Sequence, residues 1–166
     1  MIVIAGVLIG IALGVRQAFK HGGRKMDALQ YAAGFAMAQI AGATTEEEKE
    51  FHKQFLYYLV MHEMGHTLGL NHNMKSSQLH DLTNINNKEV TSKIGLTGSV
   101  MDYPAANLAL DKSKQGQYFT MKPGPYDMWA IEFGYAPSLN DAAAEEMRVK
   151  KLLNRSTEPQ LTFGND

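Results

Sequence analysis

The chain of 166 residues contains no cysteine, which excludes disulfides and thiolate metal ligands and leaves His, Asp, Glu and Tyr to hold any metal. It also lacks an excess of either charge. Sixteen basic residues against seventeen acidic ones leave a formal charge of -1, so there is no field of the kind that draws a protein to nucleic acid or an anionic membrane. No apolar run is long enough to span a bilayer: residues 2–15 are uncharged, but a spanning helix needs about 20 such residues. A signal peptide would need a basic region ahead of that run, and only Met1 precedes it. Repeats and low-complexity linkers are missing too. With 45% hydrophobic and 20% charged residues, residues 1–166 are expected to form a single domain with a real core.

What is present is concentrated in one stretch, His62-Glu63-Met64-Gly65-His66-Thr67-Leu68-Gly69-Leu70-Asn71-His72. On a helix, His62 and His66 lie roughly 40° apart around the axis and about 6 Å apart along it, so both imidazoles can reach one ion. Two neutral imidazoles on one face make half a zinc site. Glu63 lies beside His62 and roughly 60° around the axis from His66, which suits its carboxylate to act as a base next to the metal, not as a ligand. Gly69 can adopt a positive φ at no steric cost, end the helix and turn the chain so that His72 joins the other two. Three protein ligands leave a fourth position for water, the mark of a catalytic zinc site. Three ordinary histidines are the alternative reading, but the five fixed positions would coincide by chance in only about one chain of this length in a hundred thousand.

This spacing is H-E-x-x-H-x-x-G-x-x-H, and in it the chain resembles the metzincin metalloproteases. A second match follows in the expected order, because Ser99-Val100-Met101-Asp102-Tyr103-Pro104, 29 residues beyond His72, resembles the methionine turn of that clan. The resemblance spans about residues 51 to 135 and is closest to the bacterial zinc-dependent proteases grouped as the Met-zincin domain family. The residue after the third histidine is Asn73, where better-known branches carry Asp, Glu, Ser, Thr or Pro. That departure bears on specificity more than on chemistry.

The resemblance implies a zinc-dependent endopeptidase acting on a protein or peptide substrate. Zn2+ would be held by His62, His66 and His72, with Glu63 as general base and Met101 as an apolar floor beneath the imidazoles. In astacins and serralysins a tyrosine two residues after the turn methionine can coordinate zinc or donate to the oxyanion. Tyr103 has that spacing, and simple packing is its equal alternative. By the same resemblance residues 104–107 would wall the pocket for the side chain after the cleaved bond, and the location would be secreted or periplasmic. The rival reading is a non-catalytic zinc-binding or peptide-binding module that has kept the ligands. Glu63 argues against it, because a structural zinc needs no base.

Around this centre the chain reads as α+β and predominantly helical. A short strand is expected at residues 2–4, with apolar helices at 5–20 and 26–41. Thr45 and Glu48 read as a capping box for the active-site helix, whose stripe of Phe51, Phe55, Leu59, His62 and His66 faces the core. Residues 73–100 are long and polar and should contain short helices near 77–82 and at 88–94, serving either to shape a substrate site or as a structural excursion. Pro125 marks the first turn of a further helix running to Gly134, with Asp127 as a capping or packing carboxylate, and 138–154 form the last helix before an irregular tail. His21, His52 and His80 read as surface or capping residues, and Glu132 stays outside the site. Only 61 residues precede His62, with at most one strand among them, where a metzincin builds several. The expectation is therefore a zincin-like catalytic core with a reduced or truncated N-terminal sheet, a fragment of a longer protein.

Overall fold

A computed structural model describes residues 44–165. The strand expected at 2–4 and the helices expected at 5–20 and 26–41 lie outside the described residues. The chain divides into two units, Met1–Leu56 and Tyr57–Asp166.

The first described element is a 23-residue helix, α1, at Thr45–Thr67. It is capped one residue earlier than the sequence pattern suggests. The Thr44 hydroxyl accepts the Glu47 N–H at 3.3 Å while the Glu47 carboxylate accepts the Thr44 N–H at 2.7 Å. Two consecutive threonines each have a glutamate three residues on, and using the earlier pair adds a residue to the helix. Glu46, Glu47 and Glu48 all fall in the first turn, where carboxylates complement the helix dipole.

One face of α1 is buried, carrying Phe51, Phe55, Tyr58, Leu59 and His62, while Leu56, Tyr57 and Val60 are exposed. The expected stripe stops one turn short, because His66 stands exposed in the last turn. Gly69 then ends the helix with φ 80°. Its N–H donates to His66 O at 3.0 Å and the Leu70 N–H donates to Gly65 O at 3.0 Å, the paired bonds of a Schellman motif.

Beyond this turn the second unit is built from short helices. They are 3-10 turns at Met74–Leu79, Lys112–Lys114, Arg155–Thr157 and Pro159–Leu161, together with α2 at Lys88–Ile94, α3 at Pro125–Tyr135 and α4 at Ala142–Asn154. Among the described residues there is no strand, and the predominantly helical character is as expected. α2 has the expected bounds, fixed by the Asn87 side chain accepting from the Glu89 and Val90 N–H groups. His80 supports its other end, donating from Nε2 to Gly95 O at 2.8 Å. The helix expected near 77–82 is instead a 3-10 turn three residues earlier, where the hydroxyls of Ser76 and Ser77 are drawn to Asp102. α4 starts later than expected because Asp141 caps it by accepting the Ala144 N–H at 2.9 Å.

The core of this unit gathers Tyr58, Leu59, Leu96, Val100, Met101, Phe119, Leu152 and Leu161. Tyr58 stacks on Phe119 with ring centroids 5.8 Å apart. Trp129 links α3 to α4 by donating to Leu152 O at 2.9 Å. Each such apolar side chain contributes about 1.5–3 kcal/mol on burial. The stretch 73–100 braces the loop that follows the methionine turn: the Asn86 side-chain oxygen accepts from Asn107 Nδ2 at 2.9 Å and from the Gly116 N–H at 3.1 Å. Among the described residues no helix is long and apolar enough to cross a membrane.

Candidate metal centre

The last turn of α1 and the Schellman turn bring the three predicted ligands together. Ring centroids of His62 and His66 are 4.9 Å apart, those of His62 and His72 5.2 Å, and those of His66 and His72 4.7 Å. Nε2 of His66 and Nε2 of His72 lie 3.0 Å apart, and one nitrogen from each of the three rings falls within 4.8 Å of the others. Zinc–nitrogen bonds of 2.0–2.1 Å in a tetrahedron set the nitrogens about 3.3 Å apart, so small side-chain rotations bring this set onto one ion.

The tautomers agree with that use. His62 Nδ1 lies 2.8 Å from Val100 O, and His66 Nδ1 lies 3.2 Å from Leu70 O. A carbonyl can only accept, so each Nδ1 carries the proton and each Nε2 presents its lone pair. Metal-bound histidines are oriented in this manner, by giving the second ring N–H to a carbonyl or carboxylate. Three imidazoles, two of them oriented by backbone carbonyls, and no competing thiolate make a donor set that fits zinc.

Burial grades across the site. His62 is 1% exposed, His72 half-buried and His66 exposed, so the centre opens on the His66 side. Glu63 is exposed and follows His62 directly on α1. The half-buried Tyr103 ring sits 4.9 Å from the His62 ring and 4.5 Å from the His72 ring. All five predicted site residues thus share one locality. Met101 is fully buried, as an apolar floor requires.

Several residues that support the site were not singled out by the sequence. Gly65, between the first two histidines, allows the closest approach: a Cβ there would overlap the Met101 sulfur. A glycine inside a helix costs about 1 kcal/mol relative to alanine, and that cost was the readable signal of a close neighbour. Tyr58 is wholly buried, and its hydroxyl donates to Asp102 O at 2.5 Å, next to the methionine turn. Asp102 is buried and accepts from the hydroxyls of Ser76 and Ser77 and from the Tyr103 N–H at 2.8 Å. Burial pushes its carboxyl above the usual carboxylate value, against those hydrogen bonds.

Asp127 is the capping carboxylate that was one of its two sequence readings, accepting the N-cap Gly124 N–H, and it is also a brace for the methionine turn. It accepts from Ser99 Oγ at 2.5 Å, from the Val100 N–H at 2.8 Å and from the Gly124 N–H at 2.8 Å. The Val100 peptide therefore reaches Asp127 through its N–H and His62 through its carbonyl. Burial raises the Asp127 carboxyl above its ordinary value, with the three donors opposing.

Comparison with known proteins agrees with this geometry. No protein of curated function and no solved structure matches the chain. The profile of one family, described as Met-zincin, matches residues 44–166, which include α1, the three histidines, the methionine turn and α3. The chain belongs to the Met-zincin family.

Proposed function

We propose that the chain is a zinc-dependent endopeptidase in which His62, His66 and His72 hold the ion and Glu63 is the general base. The observation that carries this reading is the convergence of three imidazoles, two with their Nδ1 protons given to backbone carbonyls; the exposed Glu63, next to His62 in the chain, is assigned as base by its place in the motif. When bound, zinc supplies Lewis-acid chemistry: it polarises a carbonyl and lowers the pKa of water to about 7. Glu63 accepts the proton of the attacking water as its oxygen bonds to the scissile carbonyl carbon, then passes that proton to the amine nitrogen as the carbon–nitrogen bond breaks. The Tyr103 hydroxyl is a candidate donor to the oxyanion of the tetrahedral intermediate, supported by the packing of its ring against His62 and His72. Residues 104–107 follow directly and are the candidate wall for the side chain beyond the cleaved bond. Asn107 holds that wall in place, since its side chain donates to Asn86 and to Gln117 O at 2.8 Å.

Replacing Glu63 by Gln tests the assignment. Zinc stoichiometry stays at the wild-type level, because the imidazoles are untouched, while hydrolysis of a denatured protein substrate falls by about 100- to 10,000-fold. Retention of turnover removes Glu63 as the base. Zinc binding with no hydrolysis by the wild-type chain would favour the non-catalytic zinc-binding module instead.

A further inference from the structure

The residue after the third histidine is turned into the interior. Asn73 is fully buried, and its backbone and side chain join three parts of the second unit. Its N–H donates to Met101 O at 3.0 Å, which ties the position next to His72 to the methionine turn. Its side chain grips the end of the chain at two points, donating from Nδ2 to Thr162 O at 3.0 Å and accepting at Oδ1 from the Gly164 N–H at 3.1 Å. The Met74 N–H adds a third bond to this segment, to Gly164 O at 2.8 Å. On one side of the clamp Leu161 is buried at 2% exposure, and within it Phe163 stacks on Tyr126 of α3 at 5.7 Å.

This arrangement bears on the third predicted ligand, His72, the direct chain neighbour of Asn73. His62 and His66 are carried by α1. His72 lies beyond the Schellman turn, outside any helix. Its backbone runs directly into the clamped Asn73. We infer that residues 162–164 are a positioning element for the metal centre: through the two-point grip on Asn73 they set the place of His72, and metal affinity depends on them although they contribute no ligand. This rests on the zinc reading above. It also gives the family-sorting position after the third histidine a role in holding a C-terminal strut.

The experiment measures zinc affinity of the full chain by chelator competition, and the absorption spectrum of the Co2+-substituted chain as a reporter of ligand geometry. Asn73→Ala removes both side-chain bonds. Gly164→Pro removes one donor from the half-buried tail and leaves the buried asparagine in place, which covers the case in which Asn73→Ala does not fold. Leu152→Ala, at a buried core position on α4 that contributes no hydrogen bond to Asn73, is the control for a general loss of stability. Loss of an outer partner of a metal ligand typically weakens metal binding about 10- to 100-fold. The expected result is a weakening in that range and a changed cobalt spectrum for Asn73→Ala and Gly164→Pro, with wild-type affinity and spectrum for folded Leu152→Ala. Zinc affinity within twofold of wild type in folded Gly164→Pro overturns the proposal, as does an equal loss in Leu152→Ala. If the wild-type chain does not bind zinc, or binds it no better than His66→Ala does, the metal-site reading itself fails and takes the strut with it.

Discussion

Gly65→Ala should change stability with opposite sign depending on what occupies position 101. At an ordinary helix site, replacing glycine with alanine stabilises by about 1 kcal/mol. Here the added methyl overlaps the sulfur of Met101, which is fully buried under the site. Inserting a methyl into a packed core costs about 1–3 kcal/mol, so the net effect in the wild-type background is a loss of about 0–2 kcal/mol. Met101→Ala removes the obstacle, at a cost of about 2–5 kcal/mol on its own. In that background Gly65→Ala should recover the helix-propensity gain of about 1 kcal/mol, giving a coupling of about 1–3 kcal/mol between the two positions. Urea unfolding of the four metal-free proteins measures the cycle, and zinc affinity of the single variants shows whether a displaced sulfur disturbs the histidines. A gain of about 1 kcal/mol from Gly65→Ala in both backgrounds would refute the close approach of helix and methionine turn.

Three other perturbations address separate parts of the site. His66→Ala should abolish the thermal stabilisation by zinc, worth about 2.7 kcal/mol for the wild type at a hundred times its dissociation constant; an undiminished rise in melting temperature would show that the ion binds elsewhere. Tyr103→Phe should lower turnover by about 10- to 1000-fold with zinc content unchanged if the hydroxyl serves the oxyanion. Unchanged turnover reduces Tyr103 to packing on His62 and His72. For Asp127, whose carboxyl is raised in the folded chain by burial, the protonated form favours folding. Its contribution is complete below the unfolded value of 3.8 and is lost as pH rises through the folded value, so the stability advantage of wild type over Asp127→Asn should shrink across that window. A pH-independent gap would contradict the raised value.

The histidine cluster was legible because its members are close in sequence and their spacing maps directly onto helix geometry and one glycine turn. The same holds for Pro125 at the first turn of α3 and for the bounds of α2, where the signals are local caps. The supporting residues were not legible, because their partners are remote in sequence: nothing near Asn73 points to residues 162–164, and nothing near Asp127 announces the Val100 N–H. Start points slipped where two caps competed. Thr44 and Thr45 offer equivalent boxes one residue apart, and Asp141 took the start of α4 from residue 138 through a hydrogen bond that periodicity does not encode. Ser76 and Ser77 moved a helical turn in the same way, by bonding to a carboxylate 25 or 26 residues away.

The Val100 carbonyl and the Asn73 clamp tie the histidine cluster to parts of the chain far away in sequence. All three imidazoles lie within one short span of the chain, yet the bond that sets the His62 ring closes a loop of 38 residues and the clamp next to His72 closes one of 89. The longer closure costs about 0.8 kcal/mol more in chain entropy than the shorter. A chain that has formed only α1 and its turn therefore carries every donor atom but neither the ring orientation of His62 nor the backbone position of His72. On the proposed reading, tight zinc binding is then a report that the distant parts of the unit have docked.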